Sequence, residues 1–67
     1  MAIGRVTEIT STSNKSFEDA VAVGIKRATK TLENVTSAWI KDHEVVVDGD
    51  KITEYKVRMM VTFLLND

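Results

Sequence analysis

Residues 53–65, Thr53-Glu54-Tyr55-Lys56-Val57-Arg58-Met59-Met60-Val61-Thr62-Phe63-Leu64-Leu65, alternate with a period of two. On an extended strand, where successive side chains point to opposite sides, Tyr55, Val57, Met59, Val61, Phe63 and Leu65 share one face. The other face carries Glu54, Lys56, Arg58 and Thr62, but also Met60, Leu64 and, just upstream, Ile52. A strand solvated on one side keeps that side polar, so both faces of this one require cover. The chain offers one amphipathic helix, enough for a single face. The second cover is therefore expected from another copy of the protein.

Size points the same way. The 67 residues make one domain, 1–67, and a domain this small buries only roughly 60% of its unfolded surface. With no Cys and a single His, neither a disulfide framework nor a zinc knuckle can compensate, which leaves oligomerisation. A net charge of −1 with interspersed signs gives no basic field for a nucleic-acid backbone. The N-terminal Met1-Ala2-Ile3-Gly4-Arg5 runs straight into strand-like sequence, and no stretch of ~18 apolar residues suggests a membrane span. A soluble, cytoplasmic protein is expected, with neither nucleic acid nor membrane as partner.

Upstream of the opening stretch, Ile3 to Thr10 is rich in β-branched residues and predicts a first strand, with Val6 interrupting the face of Ile3 and Ile9. Ser11 to Ser16 reads as a capping segment in which Ser13 or Ser16 receives the first helical N–H groups. Phe17, Ala20, Val21, Gly24, Ile25, Ala28, Leu32 and Val35 then recur at spacings of three and four, with Glu18 and Asp19 early and Lys26, Arg27 and Lys30 late, as the helix dipole favours. Gly24 within that stripe predicts close approach to a strand. Ser37 to Val47 reads as a second strand, joined to the third by a two-residue turn at Asp48-Gly49 or Gly49-Asp50, of the type I′ kind that tolerates positive φ. With either turn, odd positions of the second strand pair with even positions of the third. Ala38 and Ile40 then face the helix. Trp39, Val45 and Val47 join Ile52, Met60 and Leu64 on the opposite face, the surface assigned to self-association.

This order of elements, with the Thr-Ser-rich cap before Phe17, Lys30-Thr31-Leu32, Asn34-Val35, Glu54-Tyr55-Lys56-Val57 and Val61-Thr62-Phe63-Leu64-Leu65, resembles the dodecins along nearly the whole chain. The resemblance implies an α+β, β-α-β-β subunit whose three-stranded antiparallel sheet wraps one helix, with twelve subunits closing into a hollow shell. It also implies non-enzymatic flavin binding and storage at subunit interfaces, with riboflavin or FMN as ligand. Three positions depart from the flavin-binding pattern. Ser37 stands where the family's stacking Trp is found, Lys56 where a Gln contacts the flavin edge, and Leu64 where an Arg lies between Phe and Leu. Trp39 is on the same face two residues on, displaced by roughly 7 Å. The chain is thus closer to a subgroup without that Trp, which includes calcium-binding members.

The candidate ligand-binding residues are Ser37, Trp39, Lys56, Arg58 and Met60. Trp39 suits either a stacking platform or an interface anchor, the commoner use of Trp. Lys56 with Arg58, or Lys26, Arg27 and Lys30 on the helix, could meet phosphates of FMN or coenzyme A. Asp42, Glu44, Asp48 and Asp50 supply the hard oxygens calcium prefers, without the spacing of a calcium loop. His43 shares its strand face with Lys41 and Val45 and reads as a surface histidine. No nucleophile with an adjacent base is visible, so no catalytic residue is assigned.

Overall fold

The computed structural model of the protein describes residues 3–65. Met1 and Ala2, part of the stretch read above for targeting signals, lie outside them. The elements are β1 (Gly4–Ser13), α1 (Phe17–Thr31), β2 (Val35–Asp48) and β3 (Lys51–Leu64), with the antiparallel sheet ordered β1-β3-β2. The β-α-β-β arrangement is therefore the one expected. β1 runs three residues beyond Thr10, because Ser11, Thr12 and Ser13 pair with Val57, Lys56 and Tyr55 instead of forming the cap. Hydroxyl-bearing residues suit either role, and the ladder wins here.

Ser16 is the N-cap, its Oγ accepting the Asp19 N–H at 3.0 Å. The buried Ser13 accepts from the Lys15 N–H at 3.0 Å and donates to Asp19 Oδ2 at 2.6 Å, tying the end of β1 to the first helical turn. At the other end the Leu32 N–H closes on the Ala28 carbonyl at 2.9 Å. Asn34, at φ 62°, then redirects the chain, so Val35, expected on the helical stripe, opens β2 and reaches the core from the sheet.

The core is small: Ala20, Val57, Met59 and Val61 are buried, flanked by Ile9, Phe17, Val21, Ile25, Leu32 and Val35. The helix lies over β1 and β3 and leaves β2 to one side. Lengths explain why. Fifteen helical residues span roughly 22 Å. Each strand of the 14-residue hairpin pair spans roughly 46 Å. The protomer measures 51 × 19 × 13 Å with a radius of gyration of 13.8 Å, against about 11 Å for a compact domain of this length. It exposes 4889 Å², where a compact monomer of its mass exposes about 4,200 Å².

The hairpin turn is Gly49-Asp50, flanked by the Asp48–Lys51 pair. Only Gly49, at φ 67°, has a positive φ there, which is the signature of a type II′ turn rather than I′. Gly24 makes the expected close approach: a Cβ added to it would lie 2.6 Å from Met59 Cε and 3.0 Å from Ser11 Cβ. Gly24→Ala gains about 1 kcal/mol of helix propensity, but overpacking costs about 1–3 kcal/mol, and both the buried Met59 and the strand-bound Ser11 have little room to yield. The variant is expected to unfold several degrees lower in a thermal melt at fixed protein concentration. A higher midpoint would show that propensity governs the position.

Candidate functional site

Three β-bulges decide which side chains meet on the hairpin. The β2–β3 register shifts between Val35 and Ser37, between Ile40 and Asp42, and between Val46 and Val47, leaving Thr36, Lys41 and Thr53 as the extra residues. Each is anchored by its side chain. Thr36 Oγ1 donates to the Thr62 carbonyl at 3.5 Å, Thr53 Oγ1 donates to the Val46 carbonyl at 3.2 Å, and Lys41 Nζ reaches Glu8 Oε1 at 3.2 Å.

The shift at Lys41 reverses the parity of the strand, since one inserted residue exchanges the two faces beyond it. Ala38 and Ile40 lie opposite Val61 and Met59 on the helix side, as expected. Beyond the bulge His43 pairs with Val57 and Val45 with Tyr55, so His43, Val45 and Val47 move to the helix side, correcting the outer face assigned to them above. Ile52, opposite Val47, goes with them. His43 stays exposed, as expected of a surface histidine, but on the helix side of the sheet. Its ring stacks on Phe17 with centroids 4.5 Å apart, while Tyr55 meets Phe17 edge-on at 5.2 Å, locking the start of α1 to the hairpin.

On the outer face the register forms rungs of three. Glu8, Met60 and Trp39 make one, and Val6, Thr62 and Ser37 the next toward the chain ends. On the other side come Thr10, Arg58 and Asp42, then Thr12, Lys56 and Glu44. All five candidate ligand-binding residues, Ser37, Trp39, Lys56, Arg58 and Met60, thus occupy one face on adjacent rungs. Trp39 is 52% exposed, beside the half-buried Met60. The face divides in two: Val6, Trp39, Met60 and Leu64 form an apolar half, and Lys41, Asp42, Glu44, Lys56 and Arg58 a charged one.

Arg58 and Lys41 are paired in that half. Arg58 Nη1 lies 2.9 Å from Asp42 Oδ1 and Nη2 lies 2.8 Å from Glu44 Oε1. The hydrogen bonds that Arg58 donates to both carboxylates, and then their charges, raise its pKa further, so the guanidinium stays cationic. Arg58, read as a phosphate partner, and Asp42 and Glu44, read as calcium ligands, are therefore brought together with one another. Asp48 instead flanks the turn and Asp50 lies within it. Among the described residues no three His, Cys, Asp or Glu side chains converge as a metal site would require, and no helix is long and apolar enough to cross a membrane. The bulge behind this pairing has one sequence trace, the non-alternating polar run Lys41-Asp42-His43-Glu44. On the helix side, a groove of about 550 Å³ runs between β1 and α1, lined in part by Ile9, Ser11, Val23 and Arg27; nothing in the sequence points to it.

The sequence profile of the Dodecin family matches residues 3–66. The chain belongs to the dodecin family. Among curated proteins, calcium dodecin from Mycobacterium tuberculosis is 27% identical over 63 residues, covering 94% of this chain and 89% of that one. Among solved structures, a dodecin from Streptomyces davaonensis superposes with a TM-score of 0.93 at 30% identity, covering 98% of this chain and 97% of its own. The Mycobacterium tuberculosis calcium dodecin, described as calcium chelating with a novel calcium-binding site, superposes with a TM-score of 0.83 at 28% identity, covering 96% and 91%. The dodecin fold is thus shared over essentially the entire chain.

If the bulge sets the two faces, deleting Lys41 leaves Ile40 opposite Met59 and Asp42 opposite Arg58. That variant is expected to keep native-like circular dichroism and lose only its contact with Glu8. Deleting Glu44, which has a ladder partner in Lys56, throws Val45 to the wrong face and should lower the thermal midpoint far more. Equal damage from both would show that the parity of the strand is set elsewhere.

Proposed function

We propose that the protein is a cytoplasmic, non-enzymatic dodecin shell, a hollow homododecamer that stores a small planar ligand of the flavin class, riboflavin or FMN, at its subunit interfaces. The observation that carries this reading is the Trp39–Met60 rung, an aromatic and a thioether side by side on a sheet face that no element of the same chain covers. Trp39 provides a flat surface for stacking, Met60 adapts to an irregular contact, and the Ser37 and Thr62 hydroxyls of the next rung offer hydrogen bonds at the edge. Lys56 and Arg58 form the charged border. A partner subunit supplies the opposite wall of the site and also covers the helix-side residues Val45, Val47 and Ile52, the last two of which are 57% and 51% exposed. Nucleic acid and membrane have no place in this reading.

Calcium binding stands second, favoured by the kinship with a calcium dodecin. Its candidates are Asp42, Glu44, Asp48 and Asp50, of which the first two already hold Arg58. A rise in thermal midpoint on adding calcium, abolished by Asp48→Asn with Asp50→Asn, would place this reading first.

Light scattering is expected to find a large closed oligomer and no folded monomer at micromolar concentration. Met60→Asp should dissociate it, because an unpaired charge in an apolar interface is costly. Trp39 is the sole tryptophan, so its emission should shift to the red on dissociation. Riboflavin titrated into the native oligomer should lose fluorescence as it stacks, and Trp39→Ala should weaken binding about tenfold, as loss of an aromatic contact and its buried area implies. A native protein that leaves riboflavin fluorescence unchanged would remove the flavin from the proposal.

A further inference from the structure

We infer that the Trp39 platform selects planar ligands without a phosphate group, and that the clasp of Asp42 and Glu44 on Arg58 sets this selectivity. The inference rests on the ligand reading above and specifies the chemical class of ligand. Arg58 lies two residues from Met60 on the same face, so its Cα is roughly 7 Å along the strand from the platform. That is the cation best placed to meet a phosphate carried on the side chain of a stacked ring. Both of its terminal nitrogens are already engaged, one at 2.9 Å and one at 2.8 Å, by two different carboxylates.

The other charges around the platform leave no substitute. Glu8, on the platform's own rung, holds Lys41 at 3.2 Å, so that cation too is matched by an anion. Lys56 lies four residues from Met60, roughly 13 Å along the strand, and stands opposite Glu44. An incoming phosphate monoester, carrying about −1.5 to −2 charges at neutral pH, thus meets Glu8, Asp42 and Glu44 around a guanidinium whose charge two carboxylates already offset. To bind there it must either displace a carboxylate from Arg58 or use the guanidinium's remaining N–H groups beside two anions that repel it, and in both cases little net attraction is left. A neutral ring with a polyol side chain incurs neither cost and can use the hydroxyls of Ser37 and Thr62 on the far rung.

Riboflavin and FMN differ by one phosphate and provide the test. Both are titrated by fluorescence against the native oligomer at low ionic strength, then against Asp42→Asn with Glu44→Gln, and against that pair combined with Arg58→Gln. The native protein is expected to bind FMN at least about threefold more weakly than riboflavin. The double variant, with Arg58 released, should improve FMN relative to riboflavin by about tenfold or more, the scale of one charge-assisted hydrogen bond, and the triple variant should lose that gain. Native protein that prefers FMN, with Arg58→Gln weakening FMN alone, would overturn the inference, and this comparison requires no altered carboxylate. Glu44→Gln by itself, which keeps Asp42 paired, should fall between native and double variant and covers the case in which the double variant fails to assemble.

Inorganic phosphate, followed by phosphorus NMR line broadening, separates this inference from the ligand reading. If neither flavin binds the native protein, the ligand reading falls. The charge inference is then judged by phosphate alone: binding gained by the double variant and lost on Arg58→Gln supports it, and equal phosphate binding by native and double variant overturns it.

Discussion

A helix of roughly 22 Å laid on a hairpin of roughly 46 Å cannot cover it, and the rest of the structure follows from that mismatch. The helix protects β1 and β3 where Ala20, Gly24 and Ala28 let it approach closely, and there the chain builds its one small core. Elsewhere the hairpin projects, with exposed apolar residues on its helix side toward the turn and around Trp39 on its outer face. A radius of gyration well above that of a compact domain expresses the same fact. Such a subunit reaches ordinary burial only when other copies supply the missing cover, so assembly and folding draw on the same surfaces.

The bulges turn this long, plain hairpin into two distinct surfaces. Were Lys41 paired with Arg58 in the ladder instead of bulged out of it, the parity of the Trp39–Met60 rung would continue and place His43 and Val45 on the outer face. With the bulge, His43 reaches Phe17, and Asp42 and Glu44 fall beside Arg58. The outer face consequently separates into an apolar half around Trp39 and a charged half in which Arg58 is held by two carboxylates. Exposed ion pairs of this kind contribute little to stability. The role we propose for them is in recognition, because a guanidinium whose charge is offset by two carboxylates attracts an anion less.

Kinship with dodecins is seen in the framework. The sheet and helix superpose closely on dodecin structures at 28–30% identity. Shape is maintained by the small buried residues beneath the helix and by the β3 ladder. In the proposed function, ligand choice lies with a few exposed positions on one sheet face, which can change without disturbing that framework.

The sequence by itself determined the long third strand, the single helix with Gly24 at its point of contact, the hairpin and the need for a second cover, because period-two and period-3.6 patterns are local consequences of backbone geometry. It also placed Trp39 and Met60 on one face, since no bulge intervenes between their rung and the neighbouring Ile40–Met59 pair. It did not determine where β1 stops, because Ser11, Thr12 and Ser13 serve equally well as cap or ladder until β3 lies beside them. Nor did it determine the faces of His43, Val45 and Val47 or the grip of Asp42 and Glu44 on Arg58. Those depend on which residue of β2 has no partner, and a bulge is chosen by the fit between two strands together with the anchoring of Lys41 on Glu8, 33 residues away in the chain. Alternation along one strand carries no record of that fit, and only the folded sheet brings the two strands and Glu8 together.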